Sequence, residues 1–150
     1  MIRLQDSIIT DGMKAASRNG QAGKQVVHRI SGVAASDYLP QETEGRDSVL
    51  QILQGLAQAM VRYQDPQSGT WYQVTDQGAR KGNYLESSAT ALFIYTLAKA
   101  INEGYIGNEY ITPVQKAFDG MIREFTRLEE DGTYTLTHCC AVAGLGGNSG

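Results

Sequence analysis

Between Glu86 and Glu103 the chain reads ESSATALFIYTLAKAINE. Ala89, Ala91, Leu92, Phe93, Ile94, Tyr95, Leu97, Ala98, Ala100 and Ile101 leave almost no polar face there until the last turn. A helix that is apolar on nearly every side has to be covered on nearly every side. Ser87 or Ser88 is the expected N-cap and Gly104 the expected C′ residue, so both ends carry stop signals. A chain organised around such a helix needs partners on several of its flanks.

The sequence supplies amphipathic helices on either side. In RDSVLQILQGLAQAMVRYQ, residues 46–64, Val49, Ile52, Leu53, Leu56, Met60 and Tyr63 recur at helical spacing. The stretch DPQSG that follows reads as a turn, and TWYQVTD as a short extended segment, because it is rich in β-branched and aromatic residues. In TPVQKAFDGMIREFTRL, residues 112–128, Thr112 is the expected N-cap with Pro113 at N1. Val114, Ala117, Phe118, Met121, Ile122, Phe125 and Leu128 form its apolar stripe. Periodicity therefore predicts an all-α fold in which a covered inner helix alternates with outer helices that keep one wet face.

Composition narrows the functional classes. A chain of 150 residues is about one domain, which buries roughly 68–70% of its unfolded surface. A formal charge of −3, with no Lys or Arg run, excludes an electrostatic footprint for nucleic acid or an anionic membrane. In the N-terminal MIRLQDSIITDG, Asp6, Thr10 and Asp11 interrupt any apolar targeting core. No stretch approaches the ~20 apolar residues of a membrane span, and a cytoplasmic location is expected. Cys139 and Cys140 are adjacent, so a bridge between them departs from ordinary disulfide geometry. With His138 they do not make a metal site, since consecutive residues cannot all face one ion and no second ligand pair follows. The expectation is a pair of small buried thiols in a tight segment.

Several motifs in order carry a resemblance. Gly69, Trp71, Tyr72, Gln73 and Val74 are followed by Asn83, Tyr84, Leu85, Glu86, Ser87 and Ser88, then Gly104 and Tyr105. This resembles the G-x-W-Y-Q-V and N-Y-L-E-S-S elements of the unsaturated rhamnogalacturonyl and glucuronyl hydrolases, glycoside hydrolase families 105 and 88, with the likeness closest to family 105. DYLP at 37–40 and TLTHCCAVAGLGG at 135–147 extend it, with HCCA where the family usually has GTCS.

The resemblance implies a piece of the C-terminal half of an (α/α)6 barrel, a six-hairpin toroid of which the chain supplies fewer than half the helices. Residues 37–150 would belong to that domain and residues 1–36 would form an irregular or divergent segment. The implied reaction is hydration of the vinyl ether of an unsaturated uronyl oligosaccharide of the kind derived from pectin, with an aspartate as general acid and base. That aspartate lies upstream of everything matched, so no catalytic residue is carried over and the chain alone is expected to be inactive. The family's uronate-holding Arg and Trp motif has two imperfect counterparts, Arg18 with Gly20 or Arg29 with Gly32.

On the matched motifs, the resemblance implies Trp71, Tyr84, Glu86, Ser88, Thr137 and His138 as substrate-binding residues. Each has a structural reading beside the functional one. Trp71 could be core, Glu86 could serve the helix dipole, and Ser87 and Ser88 could be caps. No cofactor and no metal is implied. The alternative is a non-catalytic helical module that binds carbohydrate or another protein. Helices shaped to close a ring would leave apolar faces uncovered, which predicts self-association.

Overall fold

A computed structural model describes residues 42–140. DYLP, the sequence upstream of it, and the tail beyond Cys140 lie outside the described residues. Three helices dominate: α1, Arg46–Arg62; α2, Ser87–Asn102; and α3, Ile111–Phe125, entered through a 3-10 turn at Asn108–Tyr110. Two short strands follow, β1 at Thr126–Leu128 and β2 at Tyr134–Leu136, paired antiparallel with Arg127 opposite Thr135. No helix among the described residues is long and apolar enough to cross a membrane.

The core forms where α1 meets α2 and the 65–86 connection. Leu53, Leu56, Ala57 and Met60 of α1, Phe93, Leu97 and Ala100 of α2, Ala117 of α3 and Trp71 form one buried cluster, with α2 packed most extensively along α3. Trp71 has no exposed surface. Its ring meets Phe93 edge-on at 5.1 Å and its indole N–H donates to the Met60 carbonyl at 2.8 Å. That carbonyl is one of the last four of α1, which have no partner within the helix. One side chain therefore fills the core and caps a helix. Trp71 N–H donates in turn to the buried Thr90 Oγ1 at 3.2 Å.

The 65–70 turn is held by its own side chains. The Asp65 carboxylate accepts from Ser68 N–H at 2.7 Å and Ser68 Oγ at 2.8 Å. Gln64 Nε2 donates to the carbonyls of Gly69 and Pro113, which ties the turn to the start of α3. Gly69 adopts a φ of 78°, and a side chain there would collide with the Lys116 backbone.

Several expectations are corrected. The N-cap of α2 is Glu86, whose carboxylate accepts from the Ser88 and Ala89 N–H groups, in place of Ser87 or Ser88. Helix α3 starts at Ile111, so Thr112 is inside it and Pro113 stands third. It is still within the first turn, where a missing N–H costs nothing. The helix also ends at Phe125, three residues early, because Thr126 turns extended to enter β1. The TWYQVTD segment forms only one bridge, Tyr72 to Leu85. Helix α2 is less enclosed than its composition demands: Tyr95 is 54% exposed.

Candidate functional site

The start of α2 gathers the polar residues. The bridge between Tyr72 and Leu85 brings the 73–84 arch back on itself, with Gln73 N–H donating to the Tyr84 carbonyl at 2.8 Å. Asn83 holds the arch closed: its Oδ1 accepts from Val74 N–H at 3.1 Å and its Nδ2 donates to the Val74 and Gln77 carbonyls. Glu86 N–H then donates to the Trp71 carbonyl at 2.9 Å, which delivers the Glu86 side chain to the first turn of α2.

Both Glu86 oxygens are occupied. Oε1 accepts from Ser88 N–H at 3.1 Å, Ser88 Oγ at 2.7 Å and Cys140 N–H at 3.0 Å, and Oε2 accepts from Ala89 N–H at 2.6 Å. The residue is buried. Its negative charge faces the positive end of the α2 dipole, and it clamps the 137–140 loop onto the helix. Glu86 is thus an anchor between the helix and the loop. Ser87 N–H adds a second tether, donating to the His138 carbonyl at 3.1 Å.

The loop itself leaves β2 with a sharp turn. Thr137 donates through N–H at 2.8 Å and through Oγ1 at 3.1 Å to the Phe125 carbonyl, at the C-terminus of α3. His138 has a φ of 56°, an unusual conformation for a residue with a Cβ. Its Nδ1 lies 3.0 Å from Thr137 Oγ1 and its ring 6.0 Å from that of Phe125. Gln73 Nε2 donates to Cys140 Sγ at 3.6 Å, and Tyr84 bonds to the same sulfur. Burial, then the Cys140 hydrogen bond and charge, then Glu86 and Cys139, push the Tyr84 phenol above its ordinary value.

The structure therefore brings Tyr84, Glu86, Ser88, Thr137 and His138 into one polar cluster where α2, the arch and the loop after β2 meet. Trp71 is not part of it. Its backbone carbonyl supports Glu86, but its ring is sealed in the core and offers no face to a sugar, so the core reading holds for that residue. The expected buried thiols are also corrected: Cys139 is exposed and Cys140 half-buried, because the loop meets α2 through its backbone. Sequence reading missed Gln73 and Cys140 as members of the cluster. Gln73 stands next to Tyr72 in a recognised motif, but only the arch shows that its amide turns toward residue 140. Among the described residues no group of three or more His, Cys, Asp or Glu side chains is placed to hold a metal. Arg18, Gly20, Arg29 and Gly32 lie outside the described residues.

Three helices, the 73–84 arch and the loop after β2 make up a largely helical segment. The family model for Glycosyl Hydrolase Family 88 matches residues 30–150, and the chain belongs to that family. It is 36% identical over 88 residues to Protein Atu3128 of Agrobacterium fabrum, a match that covers 56% of this chain and 38% of that one. Among solved structures it is similar to a glycoside hydrolase of family 105 from C. acetobutylicum. There the TM-score is 0.77 at 35% identity, over 86% of this chain and 35% of that one. A family 88 glycosyl hydrolase from Bacteroides vulgatus shares the fold at a TM-score of 0.66 and 24% identity, over 83% of this chain and 33% of that one. The chain thus spans 33–38% of the length of these relatives.

Proposed function

We propose that the chain contributes one wall of the substrate site of a glycoside hydrolase acting on unsaturated uronyl oligosaccharides of the rhamnogalacturonan type. Within a partial (α/α)6 toroid, the cluster at the start of α2 would face the sugar. Tyr84, Ser88, Thr137 and His138 bring hydroxyls and an imidazole, the groups that recognise sugar hydroxyls by exchange of hydrogen bonds. The observation that carries this reading is the clamp of the 137–140 loop by Glu86, which fixes those groups relative to one another. Vinyl-ether hydration needs a proton donor and a water-activating base. Glu86 fills neither role while its oxygens accept four hydrogen bonds. The general acid is assigned to no residue of this chain.

The test is titration of the purified chain with an unsaturated rhamnogalacturonan disaccharide, following both heat of binding and the ultraviolet absorbance of the C4=C5 bond. Binding without loss of the chromophore is expected, and Ser88→Ala or His138→Ala should weaken it about tenfold, as for the loss of one good hydrogen bond. Loss of the chromophore would mean that the acid is in this chain. Absence of binding by a folded chain would sink the reading. A second reading, a helical module that binds another protein, is favoured by one observation: Phe118 and Ile122 on α3 are about half exposed.

A further inference from the structure

We propose that Cys139 and Cys140 form a redox latch, a modification site for low-molecular-weight disulfides that sets whether Cys140 stays bonded to Glu86 at the start of α2. Both cysteines are free, and the two thiols sit in different surroundings. Cys139 is exposed to any reagent in solvent. Cys140 is half-buried, its sulfur accepts from Gln73 Nε2 at 3.6 Å, and its N–H donates to Glu86 Oε1 at 3.0 Å.

The reaction is thiol–disulfide exchange. The Cys139 thiolate attacks one sulfur of a disulfide RSSR, forming a mixed disulfide and expelling RS−, which takes up a proton. The Cys140 thiolate then attacks the Cys139 sulfur, forming the bond between the neighbours and expelling the second RS−. Two electrons pass from the protein to RSSR, and the products are the vicinal disulfide and two RSH. A bridge requires the two Cβ atoms to come within about 3.5–4.5 Å of one another, which adjacent residues reach only if the peptide between them reorients. That peptide carries the N–H held by Glu86.

Ring closure therefore withdraws one of the four hydrogen bonds to Glu86 and pulls Cys140 Sγ from Gln73 and Tyr84. The bridge encloses no length of chain, so it adds almost nothing by loop-closure entropy and is no staple. Its effect is local: Cys140 gives up its bond to Glu86, while Ser87 N–H still holds the His138 carbonyl and Thr137 still bonds to the Phe125 carbonyl. This goes beyond the hydrolase reading and stands whether or not a sugar binds.

The experiment incubates the reduced full chain with glutathione disulfide and records intact mass, thiol count, helical circular dichroism and exchange of the Cys140 amide. The expected result is loss of two hydrogens with no glutathione retained, both thiols gone, helical signal unchanged, and markedly faster exchange at Cys140 alone in this region. Cys140→Ser should keep one glutathione on Cys139. Because closure gives up the Gln73 contact, Gln73→Ala should close at a several-fold lower ratio of disulfide to thiol, by reciprocal linkage. A wild-type chain that keeps its glutathione, keeps its thiols, loses helix on oxidation, or leaves Cys140 exchange unchanged overturns the proposal. So does a Gln73→Ala midpoint equal to that of wild type.

Discussion

Gly120 lies where α3 crosses the 65–70 turn, and a Cβ there would run into the Ser68 carbonyl oxygen and press on Thr70. A backbone oxygen cannot swing aside as a side-chain tip does. Helix propensity alone favours Gly→Ala by about 1 kcal/mol, whereas overpacking a close contact costs about 1–3 kcal/mol. Gly120→Ala is therefore expected to lower Tm, and a rise in the melt would show that the helix stands clear of the turn. Glu86→Ala removes a cap worth about 1 kcal/mol and leaves the Cys140 N–H without its acceptor. A loss of about 2 kcal/mol is expected, read as a lower urea midpoint at unchanged slope. No change would mean that the cap and clamp contribute little. Trp71 shows why residue roles were only half legible in the sequence. An aromatic ring after a turn suits a core or a sugar equally, and what decides is a carbonyl partner, Met60, eleven positions back.

At the scale of elements, the three helices were legible because their apolar spacing is local information. The hairpin was not. The 3.6-residue stripe of α3 runs on through Leu128 on paper, but Thr126 to Leu128 pair with Tyr134 to Leu136, and such pairing leaves no mark within a single helical window. The turn between the strands has its own chemistry. Glu129 N–H donates to the Thr133 carbonyl at 2.9 Å, Gly132 turns with a φ of 83°, and Asp131 accepts from Thr133 N–H and Oγ1.

Thr135 and then Arg127 hold the Glu129 carboxyl below its ordinary value, and the Thr133 hydroxyl and N–H do the same for Asp131. A carboxyl whose folded value is depressed stabilises the fold at pH above its unfolded value, and that contribution vanishes as pH falls through the depressed folded value. The hairpin should accordingly loosen in acid, below the ordinary carboxylate range, while the helices persist. The Thr133 and Thr135 amide resonances against pH would report it, with the Thr133 dependence weaker in Asp131→Asn. Invariant resonances across that window would show that the turn does not rest on these carboxylates.

At the scale of the whole molecule, ordered short motifs made the family readable, since several in sequence constrain more than any one alone. The whole of the proposed site was not readable, because the chain spans 35% of the family 105 structure it resembles. Helix α3 carries an exposed apolar face. Phe118 is 54% exposed and Ile122 49%, and they continue the face that begins at Ile111. On the hairpin, Leu128 faces Tyr134 across the strands and both are exposed. Apolar side chains grouped in this way favour association over hydration, since burial yields roughly 25 cal/mol for each Å² removed from water. We expect concentration-dependent self-association, with Phe118→Glu shifting the chain toward the monomer in size-exclusion chromatography with light scattering. Added sulfate should strengthen the wild-type association, as for apolar burial, whereas an association built on charge would weaken as salt screens it. A wild-type chain that stays monomeric at every concentration, or a Phe118→Glu chain that associates as strongly as wild type, would show that this face is not the contact.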